Sequence, residues 1–410
     1  MIEKDTPPQA NDGPLSGIRV LDLSRILAGP TCTQLMGDYG ADIIKVEKPG
    51  LGDDTRAWGP PYVTGHDGMP TAESAYYLSS NRNKRSFAID ITTPEGAETV
   101  RQLAVQCDIV VENFKVGGLA KYGLDYEAIF SVNPAIIYCS ISGFGQTGPN
   151  AHLPGYDLLA QAFGGIMSLT GTPDGEPMKV GVAVADVVCG LYACTAVLAA
   201  LQHRNQTGEG QYIDIGLADT QVAWLINNGT NYLTSGQAPR RVGNEHANIV
   251  PYQVFAAIDG HIIVAAGNDA QYARFCNAIG RADLASHADY MTNESRVKNR
   301  DTLIPLLDAE ITKMTKAELI AKMEQFGVPG GPINTLPELF DSDQVTTREM
   351  KITIPHNTAK SGLVDLIGNP VKFSKTPVSY RHSPPTCGEH SAEIKAELLT
   401  NLHSEIPKTE

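Results

Sequence analysis

Residues 17–49, GIRVLDLSRILAGPTCTQLMGDYGADIIKVEKP, decide the fold. Two short aliphatic and β-branched runs, Gly17–Ser24 and Ala41–Pro49, flank a helical pattern that opens at Gly29 and Pro30. Glycine suits the tight turn, and a proline near helix position N1 lacks only an N–H that would be unpaired there anyway. Strand, helix and strand in that order form a βαβ unit, whose strands run parallel. The alternation continues downstream with RSFAIDI (85–91), TPEGAETVRQLAVQC (93–107), DIVVENF (108–114), DYEAIFSVN (125–133) and AIIYCSIS (135–142). The expected core is therefore a Rossmann-like, doubly wound parallel sheet, with helix N-termini at the strand ends as natural anion sites.

Further along, YDLLAQAFGGIMSLTG (156–171), ADVVCGLYACTAVLAALQHR (185–204) and ADTQVAWLINNGTNYLTSG (218–236) read as helices, and YIDIGL (212–217) as a strand. Composition changes after about residue 235. QAPRRVGNEHANIVPYQ (237–253) reads as a linker or ligand loop, and QVFAAIDGHIIVAAGN (253–268) as a β-hairpin turning at Asp259–Gly260. GVPGGPIN (327–334) marks another boundary, beyond which KITIP (351–355) and PVKFS (370–374) are strand-like. The expected division is a flexible polar arm at 1–14, a large domain over 15–225, an inserted small α+β domain at 226–330, and a return to the large domain over 331–410.

Composition narrows the function. The formal charge of −14 over 410 residues opposes phosphate-driven nucleic-acid binding. The seven cysteines are odd in number and lack metal-ligand spacing, so a cytoplasmic protein with reduced thiols and no metal is expected. No signal peptide or membrane span is expected, the apolar run after Asp186 reading as a buried helix. HExxH, GxSxG and GxxxxGK[ST] are all absent.

One carboxylate stands out. In KVGVAVADVVCG (179–190), Asp186 interrupts an apolar run, where an ionised carboxylate needs partners. Two readings stay open: a helix N-cap, or a nucleophile kept ionised by helix N–H groups. Asp157 has the same ambiguity at the start of another helix. Lys84 and Arg85 open a strand and read either as a solvated face or as phosphate ligands. His246 lacks an acid partner and reads as a loop histidine, and Glu47 stands where a ribose carboxylate would, without the GxGxxG that normally precedes one.

Taken together, GIRVLDLSRILAGPTCTQLMGDYGADIIKVEKPGLGDDTRAWGPP, NRNKRSFAIDITTPEG, VVENF, GYDLLAQAFGG, GVAVAD and TGEGQYIDIGL resemble the class III CoA-transferases over residues 15–400. The type is that of the formyl-CoA and carnitine CoA-transferases, and the motifs are most similar to the succinate-hydroxymethylglutarate CoA-transferases. The resemblance implies that Asp186 is the catalytic nucleophile, passing through aspartyl anhydride and aspartyl-CoA thioester intermediates. It also implies an interlocked homodimer, with coenzyme A and acyl-CoA as substrates, no metal and no permanently bound cofactor; that no membrane is a partner is expected from the absence of a spanning run. Succinyl-CoA is the implied donor and a small dicarboxylate the implied acceptor.

By position, the implied CoA contacts are Leu27, Ala28, Lys48, Ile89, Thr92, Asn113, Phe114, Lys115, Lys121, Pro154, Gly155, Tyr156 and Asp157. Lys48 and Lys121 stand where the formyl-CoA branch has arginines, keeping the charge but losing the bidentate fork, and Thr92 replaces a lysine. Implied oxyanion donors are the N–H groups near Leu27, Ala28 and Gly243, and the implied lid is RRVGNEHAN (240–248). Arg56, Arg240 and Arg241 are candidates for a second substrate carboxylate. The alternatives are an α-methylacyl-CoA racemase-like isomerase, whose histidine falls at Tyr156, a poor base at neutral pH, and a non-catalytic acyl-CoA binder.

Overall fold

The structure is a computed structural model and describes residues 13–404, so residues 1–12 of the expected N-terminal arm lie outside the described residues. The chain divides into two compact units. The first comprises residues up to Gly165, Gly181–Trp224 and those from Asp343 on; the second comprises Ile166–Val180 and Leu225–Ser342.

The first unit is built on six strands: β1 (Arg19–Asp22), β2 (Asp42–Glu47), β3 (Lys84–Ala88), β4 (Ile109–Glu112), β5 (Ile137–Ser142) and β6 (Gln211–Gly216). They form one sheet in the order β3-β2-β1-β4-β5-β6, and every neighbouring pair is parallel. The order reverses between β1 and β4, which opens a crevice at the carboxyl ends of those strands. Both faces are covered, so β5 is buried at all six positions, its two serines included.

On one face pack α1 (Ala28–Asp38) and, later in the chain, the long α4 (Val184–Thr207); Cys32, Met36, Cys189, Ala193 and Val197 meet Val20, Ile109 and Ile137 there. On the other face lie α2 (Pro94–Val105) and the last helix, Ser391–Ser404, which contribute Val100, Leu103, Ile394 and Leu398. Thr93 caps α2, its hydroxyl accepting from the Gly96 N–H at 3.0 Å, and Pro94 occupies N1.

Between β5 and α4 runs α3 (Asp157–Phe163), and α5 (Leu217–Ala223) follows β6. The helical pattern at 218–236 breaks in two, because Ile226 takes a left-handed φ of 43° at the start of a second helix, Ile226–Ser235. Pro30 falls at N3 of α1 rather than N1, since the helix opens two residues earlier, at Ala28. The expected strand PVKFS is not a strand; KITIP pairs antiparallel with Leu363–Ile367 instead, whose alternating burial matches its own.

The second unit holds a three-stranded antiparallel sheet, β7 (Tyr252–Ala257), β8 (Gly260–Ala265) and β9 (Gly330–Pro332), in the order β9-β8-β7. The hairpin loop is Ile258–Asp259, one residue earlier than expected, and Gly260 leaves it with φ 137°. Helices Asp269–Ala278, Arg300–Ile311 and Lys316–Phe326 bury Phe275, Leu307 and Leu319 against the sheet residues Phe255, Ile262 and Val264.

Candidate active site

Asp186 does not cap α4. The helix opens at Val184, so Asp186 is the third residue of its first turn, half-buried, with Ala183 at the cap position and no side-chain cap of its own. The cap comes from elsewhere in the chain. Asp157, the first residue of α3, turns its Oδ1 onto the N–H groups of Ala185 at 2.8 Å and Asp186 at 3.4 Å, while its Oδ2 accepts from the Gln161 amide at 2.7 Å. The N–H groups expected to keep Asp186 ionised thus serve Asp157. Burial first, then the Asp157 charge, push the Asp186 carboxyl up to about 7.

Two close backbone approaches build the surroundings. A Cβ at Gly155 would fall 2.4 Å from the Gly143 Cα, so the Pro154–Asp157 segment lies directly against the chain leaving β5. A Cβ at Gly190, one turn after Asp186, would fall 2.6 Å from the Ala28 carbonyl oxygen, so α4 touches the first turn of α1. Sequence reading missed Tyr76, in the short helix Ala75–Leu78. Burial, then the charges of Asp186, Asp157 and Asp53, push its hydroxyl up to about 12, and its ring meets Trp58 edge-on at 5.2 Å. Nothing in local periodicity marks a tyrosine whose partners come from three distant segments.

At the carboxyl ends of β1 to β4 lies a cavity of about 290 Å³. It brings together Lys48, Ile89, Thr92 and Phe114, each expected from sequence, with Arg25 and Tyr122. Lys121 lines a neighbouring cavity that shares Thr92 and Tyr122 and also contains Arg101. The Thr92 hydroxyl donates to Asp90 at 2.7 Å. Asn113 and Lys115 line neither cavity. Asn113 instead brackets the Arg25 backbone, accepting from its N–H at 2.9 Å and donating to its carbonyl at 2.7 Å, and Lys115 is exposed. Tyr156 is exposed at the cap position of α3.

Several candidates are committed to other tasks. Arg56 is buried, bidentate to Glu47 at 2.8 and 2.7 Å and stacked 3.7 Å over the Tyr77 ring; this removes both Arg56 as a substrate cation and Glu47 as a ribose ligand. Lys84 is fully buried 3.1 Å from Asp22, and burial holds its ammonium down to about 8; Arg85 pairs with Asp42, Glu393 and Glu397. Neither meets solvent phosphate. Gly243 spends its N–H on the Gly171 carbonyl at 3.1 Å, so it is not an oxyanion donor, and Arg241 binds the carbonyls of Thr172 and Gly175. Arg240 remains, lining a 540 Å³ cavity of the second unit together with Gly243, His246 and Lys298. The His246 ring accepts from the Asn248 N–H at 3.0 Å, as a loop histidine.

Sequence also missed Glu112, the last residue of β4. It is buried and accepts from the Phe114 N–H at 2.8 Å, and burial pushes its carboxyl up to about 7.

A family model described as CoA-transferase family III matches residues 15–391. The chain belongs to that family. This transferase is 48% identical over 395 residues to a succinate–glutarate CoA-transferase of Agrobacterium fabrum, covering 96% of this chain and 98% of the relative. It is 43% identical over 389 residues to the human succinyl-CoA:glutarate CoA-transferase, covering 95% of this chain and 87% of the relative. Among solved structures, a CAIB/BAIF family protein from Brucella suis matches with a TM-score of 0.83 and 46% identity, over 94% of this chain and 99% of that one. The transferase is therefore an enzyme that acts on CoA thioesters.

Proposed function

We propose that this transferase moves CoA from succinyl-CoA to a small dicarboxylate, glutarate foremost, with Asp186 as the covalent relay. The observation that carries the reading is the Asp186 carboxylate itself: half-buried on the first turn of α4, beside α1, with a protonation midpoint near 7 that leaves a large ionised fraction at neutral pH. The names of the relatives from Agrobacterium fabrum and human support the acid pair.

In the first step an Asp186 Oδ attacks the thioester carbonyl of succinyl-CoA. A C–O bond forms, the C–S bond breaks, and CoA thiolate departs, leaving a succinyl-aspartyl anhydride. The thiolate then attacks the Asp186 carbonyl carbon and expels succinate, which gives an aspartyl-CoA thioester. The acceptor carboxylate attacks that thioester and releases thiolate a second time, forming a new anhydride. Thiolate attack on the acceptor acyl carbon yields the new acyl-CoA and restores Asp186. No water enters and no proton is consumed. A carboxylate suits this role because its anhydride keeps the activation of a thioester, which a serine ester would lose.

CoA is held, in this reading, by Lys48, Ile89, Thr92 and Phe114 in the crevice cavity and Lys121 beside it, with Asn113 acting through the Arg25 backbone it holds, Lys115 exposed on the same loop, and Leu27, Ala28 and Pro154–Asp157 near the thioester. The second compact unit is read as the inserted small domain. A homodimer is favoured by the apolar side chains that α3, α4 and α5 leave exposed: Leu158, Leu159, Leu191, Tyr192 and Val222. Helix α4 is long and apolar enough to cross a membrane, but only 44% of its most apolar stretch is buried, so it needs a cover that a second copy would supply. Seven free thiols suit the cytoplasm.

The test is a transfer assay with succinyl-CoA and a panel of dicarboxylates, following CoA thioesters by liquid chromatography and mass spectrometry. Glutaryl-CoA formation equal to succinyl-CoA loss supports the reading; hydrolysis alone, or α-proton exchange without an acceptor, would overturn it.

A further inference from the structure

The segment joining β1 to α1, Leu23–Leu27, is held at most of its backbone groups. The Asp22 carboxylate accepts from the Ser24 N–H at 2.9 Å, and the Lys45 ammonium donates to the Ser24 carbonyl at 2.9 Å. Asn113 holds both backbone groups of Arg25. The Asp53 carboxylate accepts from the Ile26 N–H at 3.2 Å and from the Thr55 N–H and hydroxyl at 2.9 and 2.7 Å. Asp53 and Lys45 pair with each other at 2.9 Å, both fully shielded from solvent. Between these holds Ile26 stands at φ 71°, a conformation that a β-branched residue adopts only when its surroundings force it. In contrast, no acceptor faces the N–H groups of Leu27 and Ala28 among the described residues.

The segment also lies on the Asp186 side of the molecule. Gly190, on the same face of α4 as Asp186 one turn on, has no room for a Cβ against the Ala28 carbonyl. Tyr76 is near enough to feel Asp53, Asp157 and Asp186 alike.

We propose that Asp53, paired with Lys45, is a positioning residue for the transfer: it locks Ile26 left-handed so that the Leu27–Ala28 backbone stays seated against α4, on the face that carries Asp186. This rests on the reading of Asp186 as the acyl acceptor. A displacement of the turn by about 1 Å would misalign the thioester with its nucleophile, at a cost of up to about a hundredfold in rate. Arg25 in the turn, with Asp53 and Lys45, also lines the crevice cavity, so a smaller change in CoA binding accompanies it. Buried charges are costly, and here two of them converge on a strained peptide that the sheet itself does not require.

The test compares Asp53→Asn with Asp53→Asn/Ile26→Gly, using succinyl-CoA and glutarate. Asp53→Asn should lower kcat about tenfold or more, a larger factor than any change in the KM for succinyl-CoA, which can shift because Asp53 also lines the crevice cavity. Ile26→Gly in that background should recover most of kcat, because glycine takes a positive φ unaided. If Asp53→Asn does not fold, Asp53→Asn/Lys45→Met removes both buried charges together and is read the same way. Wild-type kcat in a folded variant, or a glycine double variant no faster than Asp53→Asn, would overturn the proposal. Failure of the wild-type protein to form an adduct on Asp186 under turnover would instead overturn the reading beneath it, so the two failures are distinct.

Discussion

Replacing Asp186 by asparagine separates chemistry from folding with opposite signs. The side chain keeps its size, but an amide oxygen cannot form the anhydride, so transfer should fall about a thousandfold or more. Stability should rise. Burial and Asp157 push the Asp186 carboxyl up to about 7, so the folded protein holds the proton more tightly than the unfolded chain does. For an acid shifted in that direction, the stability penalty is absent below the ordinary aspartate range, grows with pH, and is complete above about 7. The distance from the ordinary value to about 7 corresponds to about 4 kcal/mol. Halving it for the water that reaches a half-buried side chain leaves about 2 kcal/mol. Urea denaturation of both proteins should therefore show the variant about 2 kcal/mol more stable at about pH 8, with the gain shrinking towards about pH 4.5. Equal stability at the higher pH, or a gain independent of pH, would refute the argument that the enzyme carries a disfavoured charge at this position.

Three further outcomes follow from the same geometry. The kcat/KM of the wild type should rise with pH through about 7 as Asp186 loses its proton, and Asp157→Asn should move that limb to lower pH, because it deletes the repelling charge while an amide oxygen can still accept from the Ala185 N–H. Glu112→Gln should stabilise the fold by up to about 3 kcal/mol above about pH 7, and progressively less towards the ordinary glutamate range, since Glu112 is buried, its carboxyl is shifted upward, and no cation pairs with it among the described residues; thermal melts across pH measure this. Lys48→Gln should raise the KM for succinyl-CoA and flatten its salt dependence while kcat changes little, if the crevice cavity receives the CoA phosphates.

The sheet was legible because each parallel strand carries its own signal. Runs such as Ile109–Val111 are apolar on both faces, and a helix such as α2 opens on Thr93–Pro94. Motif positions were legible too: Lys48, Ile89, Thr92 and Phe114 each stand at or just beyond the end of a strand, and parallel order alone gathers such ends. Pairings across the chain were not. Nothing local says that Asp157 caps a helix 28 residues on, or that Arg56 spends its charge on Glu47 and its face on Tyr77. The pattern around Asp186 allowed a cap or a nucleophile, and the structure removes only the cap, because the helix begins at Val184 with Ala183 at the cap position. PVKFS is not a strand, whereas Leu363–Ile367 pairs with Lys351–Pro355 and shares its alternating burial.

The most direct test of the account is peptide mapping by mass spectrometry after rapid mixing with succinyl-CoA and acid quenching, with and without glutarate. The account predicts a succinyl-sized or CoA-sized addition on the peptide containing Asp186, lost when glutarate is added and absent from Asp186→Asn. Turnover at full rate with Asp186 unmodified, or an adduct on another residue, would contradict it.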